Sequence, residues 1–425
     1  MTIYKHIHCY THLDTAIGAT VFLGTQEANE CITQYLNEPE LTIILNHSWE
    51  KDIVNAINGI AKFINIIKDK KPQWKIFLIA NTSDSIHETK LRGLKFTDIL
   101  FIDFFLYRVY KEVIVHKKNA IVNRTQNNVF NKNKFLFLTG KAHKINRVGL
   151  LKKFIDNDLM KFAEWSFFYF EENIKYNLRV REQFPDLSDN EFRTFVNTWK
   201  QNPDNINIQE TITLMGYEYN GIPYDINLYQ DTDFQVISET NFTDTTNPWI
   251  TEKTWLPILN RHPFIMAGDV ATLKLLNKMG FSTFDEFLTI DYDLIDNQDK
   301  RLDAIVANTE HWVHNLKLHH KMINLYVNHN FKVLEELYFI NNQKISNFIE
   351  KYNLINLSVE ELVPTAGRHD DHSTQKKQDK LFLTFYNNIK DPNWPICFSE
   401  QDFFKLPLPI QKECIKDFGY IPPHY

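Results

Sequence analysis

Thr251, Glu252 and Lys253 stand side by side in "WITEKTWLPILNRHPFIMAGD", ahead of an apolar run with helical spacing and a short strand that ends at Gly268. With Thr251 as the helix cap, Glu252 and Lys253 fall in the first turn, where unpaired backbone N–H groups and the helix dipole favour an anion. A lysine there is unfavourable to the helix itself. It becomes useful when a diphosphate docks at the same point, because an ammonium and several amide donors then share the negative charge. Phosphate would repel Glu252 unless that side chain points elsewhere, and two ribose hydroxyls are suitable donors to a carboxylate. The triplet therefore has the chemical logic of a nucleotide-binding corner, although a Thr cap followed by a Glu-Lys pair is also a common helix start.

A second cationic feature lies upstream. Between Val113 and Ile155 there is no Asp or Glu, while ten Lys and Arg residues fall there: Lys117, Lys118, Arg124, Lys132, Lys134, Lys141, Lys144, Arg147, Lys152 and Lys153. With a chain net charge of −6, the stretch at +10 leaves −16 for the rest. An acidic protein that keeps one segment free of carboxylates is suited to meeting an anion there; the plainer alternative is a solvated basic face. Within it, the loop "LTGKAHK" carries Gly140 and Lys141, and Arg147 follows at a second helix start that aims amides at the same kind of ligand.

Other patterns carry weaker signals. Asp-X-Asp occurs at Asp156 to Asp158, Asp231 to Asp233 and Asp291 to Asp293, a spacing that can hold a metal ion but arises readily by chance among 53 acidic residues. His311, His314, His319, His320 and His329 crowd one helical region, and "HDDH" occupies 369–372; no third ligand has a fixed position, so packing or solvated histidines are the simpler reading. Cys9, Cys31, Cys397 and Cys414 form no CxxC pair, which argues against a disulfide framework or a zinc site and for a reducing compartment.

The elements that must position these residues follow from periodicity. A chain of 425 residues exceeds what one core usually holds. "IHCY" and "LTIILNHSW" predict strands. Ile53, Ile57, Ile60, Ile64 and Ile67 then line one helix face, and "KIFLIAN" predicts the next strand. Strands alternating with helices predict a parallel, doubly wound sheet. A second cycle begins at "KFLFLTGKAHKINRVGLLKKF", pauses over a polar insertion at 171–230, and resumes at "FQVISET" and "PFIMAG". Two such units predict a twin-Rossmann arrangement around a cleft. The expected domains are 1–130 and 131–310, followed by a helical extension at 311–358, a flexible linker at 359–380 and a small module at 381–425 whose core would hold Trp394, Phe403, Phe404 and Phe418. The N-terminus lacks a secretory pattern, and "FTDILFIDFFLYRVY" is too short and too charged to span a bilayer. A cytoplasmic chain without membrane insertion is expected; the sequence does not fix its oligomeric state.

The run "VISETNFTDTTNPWITEKTWLPILNRHPFIMAGD" resembles the donor-site signature of the fucosyltransferase-like glycosyltransferases, in which a Glu-containing strand end precedes a Thr-Glu-Lys helix and an apolar "PFI" strand. It is similar, too, to a set of uncharacterised glycosyltransferases of bacteriophages and other viruses, in which "GFSTFDEF" and "YDLIDNQDKRL" elements follow. The likeness spans about residues 134 to 310, and "HKINRVGLL" matches the place of a donor-contacting arginine. Two positions depart from it: Thr240 replaces an Asn, and Pro257 interrupts the helix.

The resemblance implies an α/β fold of two Rossmann-like domains (GT-B type) facing a cleft, and an inverting, metal-independent transfer from a nucleotide-diphosphate sugar with no other cofactor. Arg147 and Lys253 would hold the diphosphate, Glu252 the ribose, and Glu239 the sugar or neighbouring backbone, with Thr251, Gly140 and Lys141 completing the donor site. Attack needs a base on the acceptor domain, for which "THLD" after the first strand offers His12 and Asp14. The acceptor is either a glycan or a hydroxylated base of phage DNA, the latter in keeping with the basic stretch. The alternatives are a non-catalytic nucleotide- or sugar-binding protein and a metal-dependent glycosyltransferase using one of the Asp-X-Asp pairs.

Overall fold

A computed structural model describes residues 3–8, 25–47, 54–81, 88–115, 130–139, 145–167, 188–204, 206, 226–243 and 248–354. All of these belong to one compact unit, Met1–Ala366; a second, Gly367–Tyr425, lies outside the described residues, as do the "HDDH" segment and the aromatics of the expected terminal module.

The first half alternates β1 (Ile3–His8), α1 (Thr25–Gln34), β2 (Leu41–His47), α2 (Val54–Lys70), β3 (Lys75–Asn81), α3 (Glu88–Arg92) and β4 (Asp98–Ile102). The strands form a parallel sheet in the order β1-β2-β3-β4. Register runs from Ile3 opposite Leu41, through Thr42 opposite Lys75, to Phe77 opposite Asp98. A two-residue alternation gives each strand two apolar faces. Ile43, Leu45, Ile76, Leu78 and Ala80 pack with Ile57, Ile60, Ile64 and Ile67 of α2, as the helical spacing predicted. Ile44, Phe77, Ile79, Leu100 and Ile102 face the other way, into the main core. A doubly wound sheet reverses its strand order, and this one does not, because every crossover from β1 to β4 steps in the same direction. Its second face is covered instead by α4 (Phe104–Tyr110) and a long C-terminal helix.

Asp103 explains why the apolar run "FTDILFIDFFLYRVY" is two elements. Its carboxylate accepts the backbone N–H of Leu106 at 3.0 Å, capping α4 immediately after β4 ends.

The second half contains β5 (Phe135–Thr139), α5 (Ile145–Asp156), β6 (Ala163–Phe167), α6 (Asp189–Lys200), α7 (Ile226–Asp231), β7 (Phe234–Ser238), α8 (Glu252–Leu259), β8 (Phe264–Ala267), α9 (Thr272–Lys278) and α10 (Gln298–Asn315). Its parallel sheet has the order β6-β5-β7-β8. The polar insertion contributes α6, opened by a capping box between Ser188 and Glu191. Pro257 does not interrupt α8, which runs through it to Leu259. The proline removes one backbone donor near the end of a short helix, and the amides of Asn260 and His262 still bond Leu256 and Pro257 carbonyls.

After α10, a 32-residue helix, α11 (His320–Lys351), lies along both halves. Near its start, Asn330 exchanges bonds with the Ser282 backbone, and the Tyr326 ring meets Phe284 and Phe287. Further along, Tyr338 stacks on Tyr107 and Tyr110 of α4, and Phe348 meets Phe77 of β3. Lys351 and Tyr352 both donate to Asp98 at the start of β4. No helix among the described residues is long and apolar enough to cross a membrane.

Candidate anion site at the strand-order reversal

The chain leaves β5 through α5 toward β6 on one side, and leaves β7 through α8 toward β8 on the other. The carboxyl ends of β5 and β7 thus mark the switch point, the place where open parallel sheets bind ligands. Arg147 sits in the first turn of α5, Glu239 directly follows β7, and Thr251, Glu252 and Lys253 form the start of α8.

Glu239 is fully buried and its carboxylate is saturated. One oxygen accepts Thr251 N–H at 3.1 Å and the Thr254 hydroxyl at 2.5 Å; the other accepts the Thr251 hydroxyl at 2.6 Å and Thr240 N–H at 3.0 Å. Of the two roles implied for this residue, the geometry fills the one toward neighbouring backbone. It also changes the part of Thr251. That residue occupies the cap position with extended backbone, but its hydroxyl donates to Glu239 and makes no cap bond. The helix start is held by a buried carboxylate rather than by its own cap.

Asn146 ties the two strands' exits together: its amide donates to the Ser238 hydroxyl and to the Glu239 carbonyl, both at 3.0 Å. The neighbouring Arg147 is 2% exposed and lies within electrostatic reach of Glu252 and Glu239. Burial pushes its guanidinium down to about 10, while the two carboxylates pull it back up, so it stays charged at neutral pH. Lys253 pairs with Glu252 and donates to the hydroxyls of Thr251 at 3.3 Å and Thr240 at 3.4 Å. Both members of the Glu252–Lys253 pair keep about a quarter of their side chains open to solvent, 26% and 25%. Burial would raise the Glu252 carboxyl, but Lys253, then the residue's own backbone N–H and last Arg108 outweigh it and hold the group below its usual range.

Arg108 belongs to α4, in the other half of the molecule, and sequence reasoning missed it. Its only sequence signal was a single cation within "FFLYRVY", a helix buried on nearly every side. Asn146 was missed as well, since nothing in an isolated Asn announces a bridge between two strands.

Other candidates fall outside this cluster. His12, Asp14, Gly140 and Lys141 lie outside the described residues, as do Lys117, Lys118, Arg124 and Lys144 of the basic stretch. Its remaining lysines are matched by carboxylates: Lys132 with Asp231, Lys134 with Glu164, Lys152 with Asp156, and Lys153 with Asp299 and Asp303. The described part of the stretch is therefore neutralised locally and offers no open basic face. The Asp-X-Asp pairs are engaged by the protein too. Asp158 pairs with Lys161, Asp233 accepts Asn133 N–H, and Asp293 accepts the N–H groups of Leu273 and Lys274. The histidines have separate neighbours: His314 packs on Phe162, His319 on Phe287, and His329 meets the Gly280 carbonyl.

Compared against protein families, curated proteins and solved structures, the chain matches none of them.

Proposed function

We propose that this chain is a glycosyltransferase of the two-Rossmann-domain (GT-B) kind, transferring a sugar from a nucleotide-diphosphate sugar to an acceptor hydroxyl. One observation carries the reading: Lys253, paired with Glu252, and Arg147, 106 positions earlier and within electrostatic reach of the same carboxylate, both lie at the switch point of a parallel sheet. Breaking a glycosyl phosphate bond builds negative charge on the departing diphosphate, and two cations there stabilise it. Lys253 shifts from Glu252 to the phosphate, and the released carboxylate accepts ribose hydroxyls. Glu239 acts from below, fixing the helix start that presents Lys253. The acceptor is a glycan or a hydroxylated base of phage DNA, and His12 and Asp14 are the proposed bases.

A thermal-shift panel of nucleotide sugars, with and without chelator, tests the reading, since a ligand that binds only the folded state raises its melting temperature. A shift with one donor that Lys253→Ala abolishes, followed by sugar transfer or donor hydrolysis that Asp14→Asn or His12→Ala slows, is the expected result. No shift with any donor refutes it. Salt-sensitive binding to duplex DNA selects the DNA acceptor, and none at low salt selects the glycan.

A further inference from the structure

The proposed reaction uses Arg147 and Lys253 and leaves Arg108 without a part. Arg108 is 8% exposed on a helix that is otherwise apolar, and burying a cation is costly unless an anion answers it. Phe105, three residues earlier and so on the same side of α4, meets Trp249 edge-to-face at 5.7 Å, two positions before Thr251. With α4 packed against α8, the guanidinium lies within electrostatic reach of the carboxylate of Glu252. Among the described residues, formal charges at the site are then three positive, from Arg108, Arg147 and Lys253, against two negative, from Glu239 and Glu252. The excess is one cation, and the start of α8 adds about half a charge. Without Arg108 these described side chains sum to zero.

We infer that Arg108 is a positioning residue that tunes the site to a diphosphate: by answering Glu252 when Lys253 leaves it, Arg108 lets Lys253 and Arg147 both face the ligand, favouring pyrophosphate over a single phosphate. The inference rests on the anion site of the proposed function and adds its charge selectivity. Inorganic pyrophosphate has no ribose, so it isolates this effect from any other duty of Glu252.

The test is calorimetric titration of inorganic pyrophosphate and inorganic phosphate into the full chain, as wild type, Arg108→Gln, Glu252→Gln and the double variant. Wild type is expected to favour pyrophosphate. Arg108→Gln should weaken pyrophosphate by about tenfold or more, the scale of one charge-assisted contact, and phosphate by less. Glu252→Gln should tighten pyrophosphate, and the double variant, whose net charge equals that of wild type, should recover most of the lost affinity. A merely structural role for Arg108 predicts no such recovery. Unchanged pyrophosphate binding in Arg108→Gln, or a double variant no better than the single one, overturns the inference. Should Arg108→Gln not fold, Glu252→Gln decides: failure to tighten pyrophosphate overturns it equally. If wild type binds neither anion, the inference and the proposed function both fall; if the charge pattern holds but no nucleotide sugar binds, only the latter does.

Discussion

Glu239→Gln changes one atom and should be among the most damaging substitutions in the second half. Each carboxylate oxygen accepts one backbone N–H and one hydroxyl: Thr251 N–H and Thr254 on one side, Thr240 N–H and Thr251 on the other. A glutamine places an amide NH2 on one of those sides whichever way it is flipped. The hydroxyl there can rotate and accept, but the backbone N–H cannot, so one buried donor faces another. An orphaned buried donor costs about 1–3 kcal/mol, and the surviving bonds lose their charge assistance, giving a total of about 2–4 kcal/mol. For the compact unit Met1–Ala366, with an unfolding entropy of about 2.1 cal/mol/K per residue, that lowers the melting midpoint by about 3–5 °C. Thermal unfolding followed by circular dichroism at pH 7.5 reads the shift, with Thr254→Val as a control that removes one hydroxyl and should cost about 1 kcal/mol. A Glu239→Gln protein that melts within a degree of wild type would refute the account of the helix start as pinned by this carboxylate.

Asp103 gives a pH-dependent prediction. Burial pushes its carboxyl from 3.8 up to about 6, against the pull of the Leu106 N–H and Lys344. A folded value above the unfolded one means stability is fully present below about pH 4 and is lost as pH rises through 6. Asn keeps the cap without the charge, so Asp103→Asn should exceed wild type by about 1–2 kcal/mol at pH 7.5 and match it at pH 4, read from urea midpoints. Gly149 on α5 marks a close approach, since a Cβ there would stand 2.7 Å from Leu302 Cδ1 of α10. Gly149→Ala should therefore cost about 1–2 kcal/mol despite its better helix propensity, and Leu302→Val in the same chain should recover part of the loss in a melting experiment.

What the sequence made legible was whatever depends on local spacing. The isoleucines of α2 at intervals of three and four announced both the helix and its buried face, and "KIFLIAN" is β3 from first residue to last. The β6 strand went unread although "AEWSF" alternates apolar and polar residues, because the signal is only five residues long. It is a strand by virtue of its partner, pairing with β5 and fastened by the bonds between Thr139 and Ser166. The run around Asp103 was read whole because an apolar stretch cannot by itself divide into strand and helix. At the site, Thr251, Glu252, Lys253, Glu239 and Arg147 were visible as charges and hydroxyls at element ends. Their pairing was not, since it depends on which strands become neighbours. Arg108 arrives from a helix more than 140 positions before Glu252, a distance over which no periodicity speaks.

The long helix α11 also constrains how the molecule can move. At about 1.5 Å per residue its 32 residues extend roughly 48 Å, anchored by Asn330 and Tyr326 on one half and by Tyr338, Phe348 and Lys351 on the other. A free hinge would need a pliable connector, and a rod fastened at both ends is the opposite. Any adjustment between the two sheets must proceed as shear, with the tyrosine stacks sliding on the rod by small steps. A displacement of α8, which packs on this rod, would therefore load the bonds to Asp98 at its far end.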